Sequence, residues 1–320
     1  MPLTSVAASS ATIEIRRIID AHIHHPTSEA TFQYSTGPSN GSNVRTRLNG
    51  PRRIVCLTEE TTETLYLLGE QDRIAGISGF SVRPARARRE KPRVSGFTTA
   101  RIDRIVALEP DLVLGFSDLQ ADIAAELIRA GIEVHVFNQR SVPQILEFVR
   151  QLGRMVDAAA RADALAAQLQ QGLEQARAAA AELPRRPRVY FEEWDQPLIC
   201  GIRWVAELIE IAGGQDCFPE LSVQAHARGR IIADPLEVVR RAPDIMIASW
   251  CGKRFNSARV LERAGWESLP AVRNQQLREI KSCDILQPGP AALTDGLRQL
   301  QQIIAAWARQ PESTATRTTD

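Results

Sequence analysis

The feature that most constrains the fold is an alanine-rich run at positions 157–183, DAAARADALAAQLQQGLEQARAAAAEL. Alanine has the highest helix propensity of all residues, and Gly172 is the weakest point of the run. The apolar side chains recur at the spacing of one helical face. They are Leu165, Leu169, Leu173 and Ala176. We predict one continuous helix, about 40 Å long at about 1.5 Å per residue, which Pro184 and Pro187 bring to an end.

Short β-branched runs alternate with helix-like segments on both sides of this helix, a pattern typical of a parallel α/β sheet. Two stretches, IDRIVALEPDLVLGFS at 102–117 and PLEVVRRAPDIMIASW at 235–250, align without gaps. Each is interpreted as a short helix, a Pro-Asp break and a strand, so the repeat indicates two equivalent halves. We therefore predict an α/β protein with two lobes, each built on a central, mostly parallel sheet and joined by the one long helix.

Changes in residue composition and hydrophobic pattern divide the chain into five segments. They are a poorly ordered N-terminal arm (1–50), an N-terminal α/β lobe (51–156), the connecting helix (157–184), a C-terminal α/β lobe (185–308) and a polar tail (309–320). The arm is rich in Ser, Thr, Asn and Gly, which favours disorder. A stiff helical connector predicts only small movements of the lobes when a ligand binds.

The charge balance limits the classes of partner. The chain has 39 basic and 38 acidic residues and a formal net charge of +1, which gives no electrostatic basis for binding nucleic acid. It contains no apolar run of about eighteen residues, so we expect no membrane insertion. The N-terminus lacks the charged-then-apolar order of a signal peptide, so we expect a cytoplasmic protein, with the periplasm as the alternative.

Aromatic residues follow the predicted strands of both halves. Ligands of open α/β sheets bind outside the carboxyl ends of the strands, where such residues from two lobes face one another. Aromatic faces with a few polar groups suit a broad, flat ligand. We predict a strand at 188–191 and a loop from Glu192 to Leu198 beyond its end. The candidate ligand-binding residues are Glu59, Phe80, Phe97, Phe116, Gln139, Glu193, Trp194, Trp250, Arg254 and Phe255.

The evidence for a metal site is weak, and we predict none. The stretch His22-Ile23-His24-His25 carries ligand-type side chains, but no carboxylate or cysteine stands at a fixed spacing from it. His226 and Cys251 are candidate axial ligands to a metal in a bound chelate, although the favoured interpretation of His226 is an exposed loop histidine. The five cysteines are far apart and form no CxxC motif, which favours buried free thiols.

Sequence signatures of enzymes are absent: the chain has no phosphate-binding GxxxxGK[ST] loop, no HExxH and no GxSxG. Glu192 and Glu193 are adjacent on a strand end, and neighbouring strand residues point to opposite faces, so they do not form an acid–base pair. We predict a protein that is not an enzyme. The alternative of another class is an enzyme that modifies metal chelates through Cys251 or His226.

The chain resembles the helical-backbone, class III substrate-binding proteins of ABC transporters, a family that binds vitamin B12, ferric siderophores or haem. The resemblance covers roughly residues 52–308 and is carried by PRRIVCLTEETTETLYLLGEQDRIAGIS, RIDRIVALEPDLVLGF, AGIEVHVFNQRSVPQILEFVRQLG and WVAELIEIAGG. Three further stretches are most similar to the cobalamin-binding branch. They are EEWDQPLICGIRWVAELIEIAGG, GWESLPAVRN and QPGPAALTDGLR.

The resemblance implies non-catalytic binding of a corrinoid or a related metal-tetrapyrrole in the cleft between the lobes, with no prosthetic group. We expect a cytosolic relative of the family; the alternative is the exported binding protein of an ABC importer for vitamin B12, haem or a ferric siderophore. Family members dock to a permease through one acid on each lobe. Asp103 stands at the first position, but the second falls on Leu236, with Glu237 one residue later. A shift of one residue along a helix rotates the direction of the side chain by about 100°, so Glu237 cannot simply take the place of the expected acid. This displacement weighs against a permease partner.

Overall fold

The computed structural model describes residues 50–311, and these form two five-stranded sheets separated by a long helix. The predicted fold class, two mostly parallel α/β lobes joined by one helix, is confirmed. Residues 1–49, which hold nearly all of the predicted arm and the histidine stretch at 22–25, lie outside the described residues. Residues 312–320 of the predicted tail do so as well.

The N-terminal lobe is built on a parallel sheet in the strand order β3-β2-β1-β4-β5. Its strands are β1 (Ile54–Cys56), β2 (Ile74–Ser78), β3 (Arg93–Ser95), β4 (Leu112–Phe116) and β5 (Val134–Phe137). Its helices are α1 (Glu59–Leu67), α2 (Ala87–Glu90), α3 (Ile102–Ala107), α4 (Ala121–Arg129) and α5 (Val142–Met155). Strands β1 and β4 are buried on both faces, which explains their continuous apolar sequences.

The connecting helix is α6 (Ala159–Ala181), two residues shorter at each end than the predicted run. Its buried face consists of Ala162, Ala166, Leu169, Leu173 and Ala176. Small residues let α5 approach it closely: a Cβ atom on Gly153 would lie 2.1 Å from the Cβ of Ala162. Gly172, by contrast, faces open space. The backbone turns between the two helices at Asp157, whose φ is 59°.

The C-terminal lobe is built on a sheet in the order β10-β9-β6-β7, with β8 paired to the first residues of β6. Its strands are β6 (Arg188–Asp195), β7 (Leu198–Cys200), β8 (Gln215–Asp216), β9 (Ile245–Ala248) and β10 (Leu277–Glu279). Its helices are α7 (Arg203–Ile211), α8 (Pro219–Ser222), α9 (Leu236–Arg241), α10 (Ser257–Leu261), α11 (Pro270–Arg273), α12 (Ser282–Ile285) and α13 (Leu297–Ala308). A π-helical turn, Ala292–Gly296, leads into α13.

The predicted loop from Glu192 to Leu198 is wrong. Strand β6 continues to Asp195 and returns as the antiparallel strand β7, so the lobe has one hairpin that the sequence interpretation missed. Pro197, which weighs against a strand, lies in the two-residue turn, where its missing N–H interrupts no ladder. The apolar run Leu198–Cys200 is buried against the sheet.

The internal repeat has a structural basis in its two Pro-Asp breaks. Asp111, ahead of β4, accepts hydrogen bonds from the backbone N–H groups of Arg52 (2.6 Å) and Arg53 (2.9 Å), just before β1. Asp244, ahead of β9, accepts one from the N–H of Arg188, at the start of β6 (2.8 Å). In both lobes, therefore, the aspartate ties together the starts of two neighbouring parallel strands. The two halves are equivalent at this point.

Candidate functional site

A cavity of about 630 Å³ opens between the two lobes. Its walls are the segments that follow the strands of both sheets, as expected for ligand sites of open α/β sheets. The volume lies within the usual range of about 300–1,000 Å³ for small-molecule sites. Eight of the ten predicted ligand-binding residues line it from opposite sides. They are Glu59, Phe80, Phe97 and Phe116 from the N-terminal lobe, and Glu193, Trp194, Trp250 and Arg254 from the C-terminal lobe.

The N-terminal wall is aromatic. Phe80 and Phe97 are half-buried and Phe116 is buried, and each follows a glycine at the end of a strand or just beyond it. The guanidinium of Arg140 stacks over the Phe116 ring, 4.9 Å from its centroid. This wall therefore presents ring faces and edges with one stacked cation.

The C-terminal wall is formed by Trp194 and Trp250, both buried except for the part that faces the cavity. The ammonium group of Lys253 lies 4.1 Å from the centroid of the Trp194 ring and 5.0 Å from that of Trp250. The same ammonium group is hydrogen-bonded to Asp195, which is buried. Two indoles are thus fixed around one cation on the wall, and Arg254, another predicted residue, lines the cavity beside them.

A buried carboxylate fixes the orientation of Trp250. Its indole N–H donates to Glu192 (2.9 Å), which also accepts two hydrogen bonds from Arg263 (2.7 and 2.9 Å) and one from the Tyr190 hydroxyl (2.8 Å). Glu192 is fully buried, whereas Glu193 faces the cavity. The two adjacent acids therefore point to opposite sides of β6, as predicted.

Glu193 is held by the buried side chain of Arg230, which also donates to the Cys200 carbonyl (2.7 Å). On the opposite wall the Glu59 carboxyl group accepts the Val82 N–H (3.3 Å). Burial, together with the neighbouring carboxylates of Glu63 and Glu60, raises the pKa of Glu59 to about 8, so it is mostly protonated at neutral pH. The carboxyl groups of the cavity thus include a fixed carboxylate, Glu193, and a neutral carboxylic acid, Glu59, that can donate a hydrogen bond.

Both predicted axial-ligand candidates line the cavity. His226 is already engaged, since its Nδ1 lies 3.3 Å from the Asp118 carboxylate of the other lobe. Cys251 is exposed rather than buried, and Cys283 is half-buried on the same wall, so the prediction of buried thiols holds for Cys56, Cys200 and Cys217 only. Across residues 50–311, no group of three or more His, Cys, Asp or Glu side chains is placed to hold a metal ion.

Two predicted site residues lie outside the cavity lining. Gln139 is buried, and its side-chain amide donates to the Pro288 carbonyl of the opposite lobe (2.9 Å), so it joins the lobes rather than facing a ligand. Phe255 packs edge-to-face on Trp250, with ring centroids 5.1 Å apart, and so supports the wall. The neighbouring side chains Arg140 and Arg254 reach the cavity instead.

Several lining residues were missed by the sequence interpretation. They are Arg140, Ile199, Ile202, Trp204, Arg228, Arg230 and Lys281. Trp204 is buried and donates to the Ile285 carbonyl (2.9 Å), yet it also lines the cavity. Arg228 and Arg230 stand beside His226 in AHARGR, and Lys281 follows β10. The available signals were therefore closeness to His226 for the two arginines and closeness to a strand end for Lys281.

The lobes are also joined by an ionic cluster outside the cavity lining. Arg83 of the N-terminal lobe bonds to Glu63 (2.9 Å) of its own lobe and to Asp284 (3.1 Å) and Asp295 of the other. Glu63 in turn accepts the Ala291 N–H across the lobes (3.0 Å). These contacts and the helical connector fix the relative position of the two walls.

The two predicted permease-docking acids both lie in the first turn of a short helix. Asp103 is exposed on α3. Glu237 on α9 is bound by Arg240 (2.7 Å) and Arg241 (2.8 Å), and these bonds lower its pKa. The adjacent Leu236 is 47% exposed. A role in docking stays a prediction for both acids.

Two lobes, a rigid helical connector and an aromatic cleft between them define a cleft-type ligand-binding protein. A family model described as "Periplasmic binding protein" matches residues 54–283, and the chain belongs to this family. This confirms the resemblance stated from the sequence. No helix within residues 50–311 is long and apolar enough to cross a membrane.

Individual relatives are similar over most of the chain. The vitamin B12-binding protein of Vibrio parahaemolyticus is 24% identical over 264 residues, which cover 78% of this chain and 88% of the relative. Among solved structures, the periplasmic vitamin B12-binding protein BtuF of Vibrio cholerae has a TM-score of 0.65 at 22% identity and covers 81% of this chain and 99% of its own. The periplasmic haem-binding protein RhuT from Roseiflexus sp. RS-1 has a TM-score of 0.68 at 21% identity, covering 80% and 100%. At these identities the structures show the shared fold.

Proposed function

We propose that this protein binds a corrinoid, or a related metal-tetrapyrrole, in the cleft between its lobes and catalyses no reaction on it. The observation that carries the proposal is that aromatic side chains from both lobes, Phe80, Phe97, Phe116, Trp194 and Trp250, line one cavity of about 630 Å³. Ring faces on two opposed walls suit a broad, flat macrocycle. The names of the relatives, which include vitamin B12- and haem-binding proteins, support the same ligand class.

The polar groups of the cavity suit the rim of such a ligand. The protonated Glu59 donates a hydrogen bond, and the Glu193 carboxylate accepts one, so the two walls offer complementary partners to amide substituents. Lys253 lies beside the tryptophans and provides a cation near the ligand face. A few convergent polar groups within apolar walls are the usual way in which such sites fix the orientation of a ligand.

Delivery of the ligand to an ABC permease is the second candidate function. Family membership supports it, and so does the exposure of Asp103 at the start of α3. The two arginines on Glu237 weigh against it, because they engage the acid that docking requires. A cytoplasmic location stays a prediction, with the periplasm as the alternative. Fractionation of the native host discriminates the two: recovery of the protein outside the inner membrane supports the importer.

The proposal is tested by adding cyanocobalamin or haem to the purified protein and recording the visible absorption and the tryptophan fluorescence. Trp194 and Trp250 border the cavity, so binding of either chromophore is expected to quench their emission in a saturable, 1:1 manner. The matched control is free tryptophan amide at the same absorbance, which corrects for the inner-filter effect. Absence of saturable quenching and of any spectral change with both chromophores would reject the proposal.

A further inference from the structure

The cavity carries an excess of positive charge that the chain as a whole lacks. Six cationic side chains but only four carboxyl groups line it, whereas the formal net charge of the protein is +1. The cations are Arg140, Arg228, Arg230, Lys253, Arg254 and Lys281, and the carboxyl groups belong to Glu59, Asp118, Glu193 and Glu279. The imbalance is therefore a property of the site.

Three of the cations already have partners. Arg230 is bonded to Glu193, Lys253 to Asp195, and Arg140 lies 3.5 Å from Asp118. In the part of the chain that the structure describes, the side chains of the other three, Arg228, Arg254 and Lys281, make no hydrogen bond and no ion pair.

The carboxyl groups of the lining do not compensate for these three cations. Asp118 is shared between Arg140 and His226, and Glu193 is bound by Arg230. Glu59 is mostly neutral at pH 7, and Glu279, which accepts the Phe255 N–H (3.2 Å), is the one charged carboxylate of the described lining that is bound to no cation. Three cations therefore stand against one carboxylate, and the excess positive charge is free to act on a ligand.

All three cations lie on the C-terminal wall. Lys281 follows β10, Arg254 follows β9, and Arg228 lies in the turn Ala227–Arg230, next to Ile231, whose backbone bridges to β7. Because the sheet order is β10-β9-β6-β7, the three are spread along one edge of that sheet. The opposite wall has Arg140 as its one lining cation among the described residues, and that side chain is already stacked on Phe116.

We propose that the ligand carries peripheral carboxylate or phosphate groups, that Arg228, Arg254 and Lys281 bind them, and that the ligand therefore enters with its anionic edge toward the C-terminal wall. The inference rests on the proposed function and narrows its ligand class. Partly exposed charge pairs contribute modestly to affinity and more to selectivity and association rate, and salt screens them.

The test compares ligands that share a macrocycle and differ in charge. Cyanocobalamin is compared with a derivative in which one peripheral amide is hydrolysed to a carboxylic acid, and haem with its dimethyl ester in the same cosolvent. Dicyanocobinamide, which lacks the phosphodiester of cobalamin, separates phosphate from carboxylate recognition. We expect the more anionic member of at least one pair to bind about tenfold tighter at low ionic strength, and the difference to shrink with added salt.

The variant that removes the three cations is Arg228→Gln/Arg254→Gln/Lys281→Gln. It is expected to lose the preference, by weakening binding of the anionic member about tenfold while the neutral member changes less than about twofold. The control, Arg88→Gln/Arg129→Gln/Arg273→Gln, removes the same charge from exposed side chains outside the cavity and should keep the preference. The salt dependence of the unaltered protein provides a second measurement that requires no variant to fold.

The outcomes separate this inference from the proposed function. Equal affinity within every pair, or a preference that survives in the triple cavity variant, leaves the function standing and overturns the inference. Binding of none of the probes overturns the proposed function and this inference with it. A preference that is lost in the cavity variant, retained in the control and weakened by salt supports both, and the pair that shows it identifies the anion.

Discussion

The indole N–H of Trp250 donates a 2.9 Å hydrogen bond to a carboxylate, Glu192, that has no exposed surface. A buried charge of this kind requires compensation, and Arg263 supplies it through two hydrogen bonds. A buried ion pair within the C-terminal lobe thus fixes the orientation of Trp250 in the wall of the cleft.

Replacement of Glu192 by glutamine should destabilise the protein by about 3 kcal/mol, because Arg263 loses its charged partner inside the lobe. Chemical denaturation measures the free energy of unfolding. The Arg263→Gln variant serves as the second arm of a double-mutant cycle, and the double variant should be less destabilised than the sum of the two. Strict additivity would show that the pair does not act as a unit.

Replacement of Trp194 by alanine should weaken binding of cyanocobalamin or haem by about 1–3 kcal/mol, as expected for a buried aromatic anchor. Trp194 lines the cavity, whereas Trp307 is not part of the lining and lies with its ring centroid 4.5 Å from the Arg185 guanidinium, so it serves as the matched control. Titration by visible absorption gives both affinities. Equal effects of Trp194→Ala and Trp307→Ala would remove Trp194 from the site.

The pH dependence of stability should carry the signature of Glu59. Its pKa rises from the ordinary 4.5 to about 8 in the folded protein, mainly because it is buried. The folded state therefore holds the proton more tightly than the unfolded state, and the resulting stabilisation, complete below the unfolded pKa, is lost as the pH rises through about 8. The permanently neutral Glu59→Gln variant should lose less free energy of unfolding than the parent between about pH 6 and 9.

The matched control for that experiment is Glu126→Gln, since Glu126 is exposed on α4. Its profile should follow that of the parent. Burial raises the pKa values of Glu60 and Asp216 to about 7, so both groups titrate in the same pH range. Every variant should therefore keep part of the dependence of the free energy of unfolding on pH. A Glu59→Gln profile that coincides with the parent would contradict the protonated state of this group.

Two glycines of neighbouring helices should respond in opposite directions. An added Cβ at Gly153 would lie 2.1 Å from that of Ala162, so Gly153→Ala forces α5 and α6 apart and should cost about 1–3 kcal/mol. Gly172 faces open space within α6, so Gly172→Ala should stabilise the protein by about 0.5–1 kcal/mol through helix propensity. Thermal and chemical unfolding report both. A change of the same sign in both variants would refute the close packing of the connecting helix.

The sequence predicted the architecture because its strongest signals are local. The alanine-rich run has no other stable conformation than a helix, and the Pro-Asp breaks mark the strand starts that Asp111 and Asp244 tie together. The aromatic residues that follow glycines line the cavity for a similar reason, because the carboxyl ends of parallel strands share one edge of the sheet.

The parts that sequence reasoning missed depend on geometry between distant segments. The β6–β7 hairpin was hidden because Pro197 argues against a strand, although it occupies the turn. Gln139 was assigned to the ligand, but the closure of the lobes places its amide against Pro288. Whether Arg228 and Lys281 form ion pairs depends on which carboxylates the fold brings near them, and no local sequence pattern predicts that.

The central claim, one cavity shared by both lobes, is tested most directly by a double-mutant cycle across the cleft. Phe97→Ala removes a ring from the N-terminal wall and Trp194→Ala one from the C-terminal wall, and affinity for cyanocobalamin and for haem is measured by titration in the parent, both single variants and the double variant. If one ligand is held between the walls, each single variant weakens binding and the double variant abolishes saturable binding while its circular dichroism is unchanged. Binding that persists unaltered in the double variant, or an effect confined to one wall, would contradict the account.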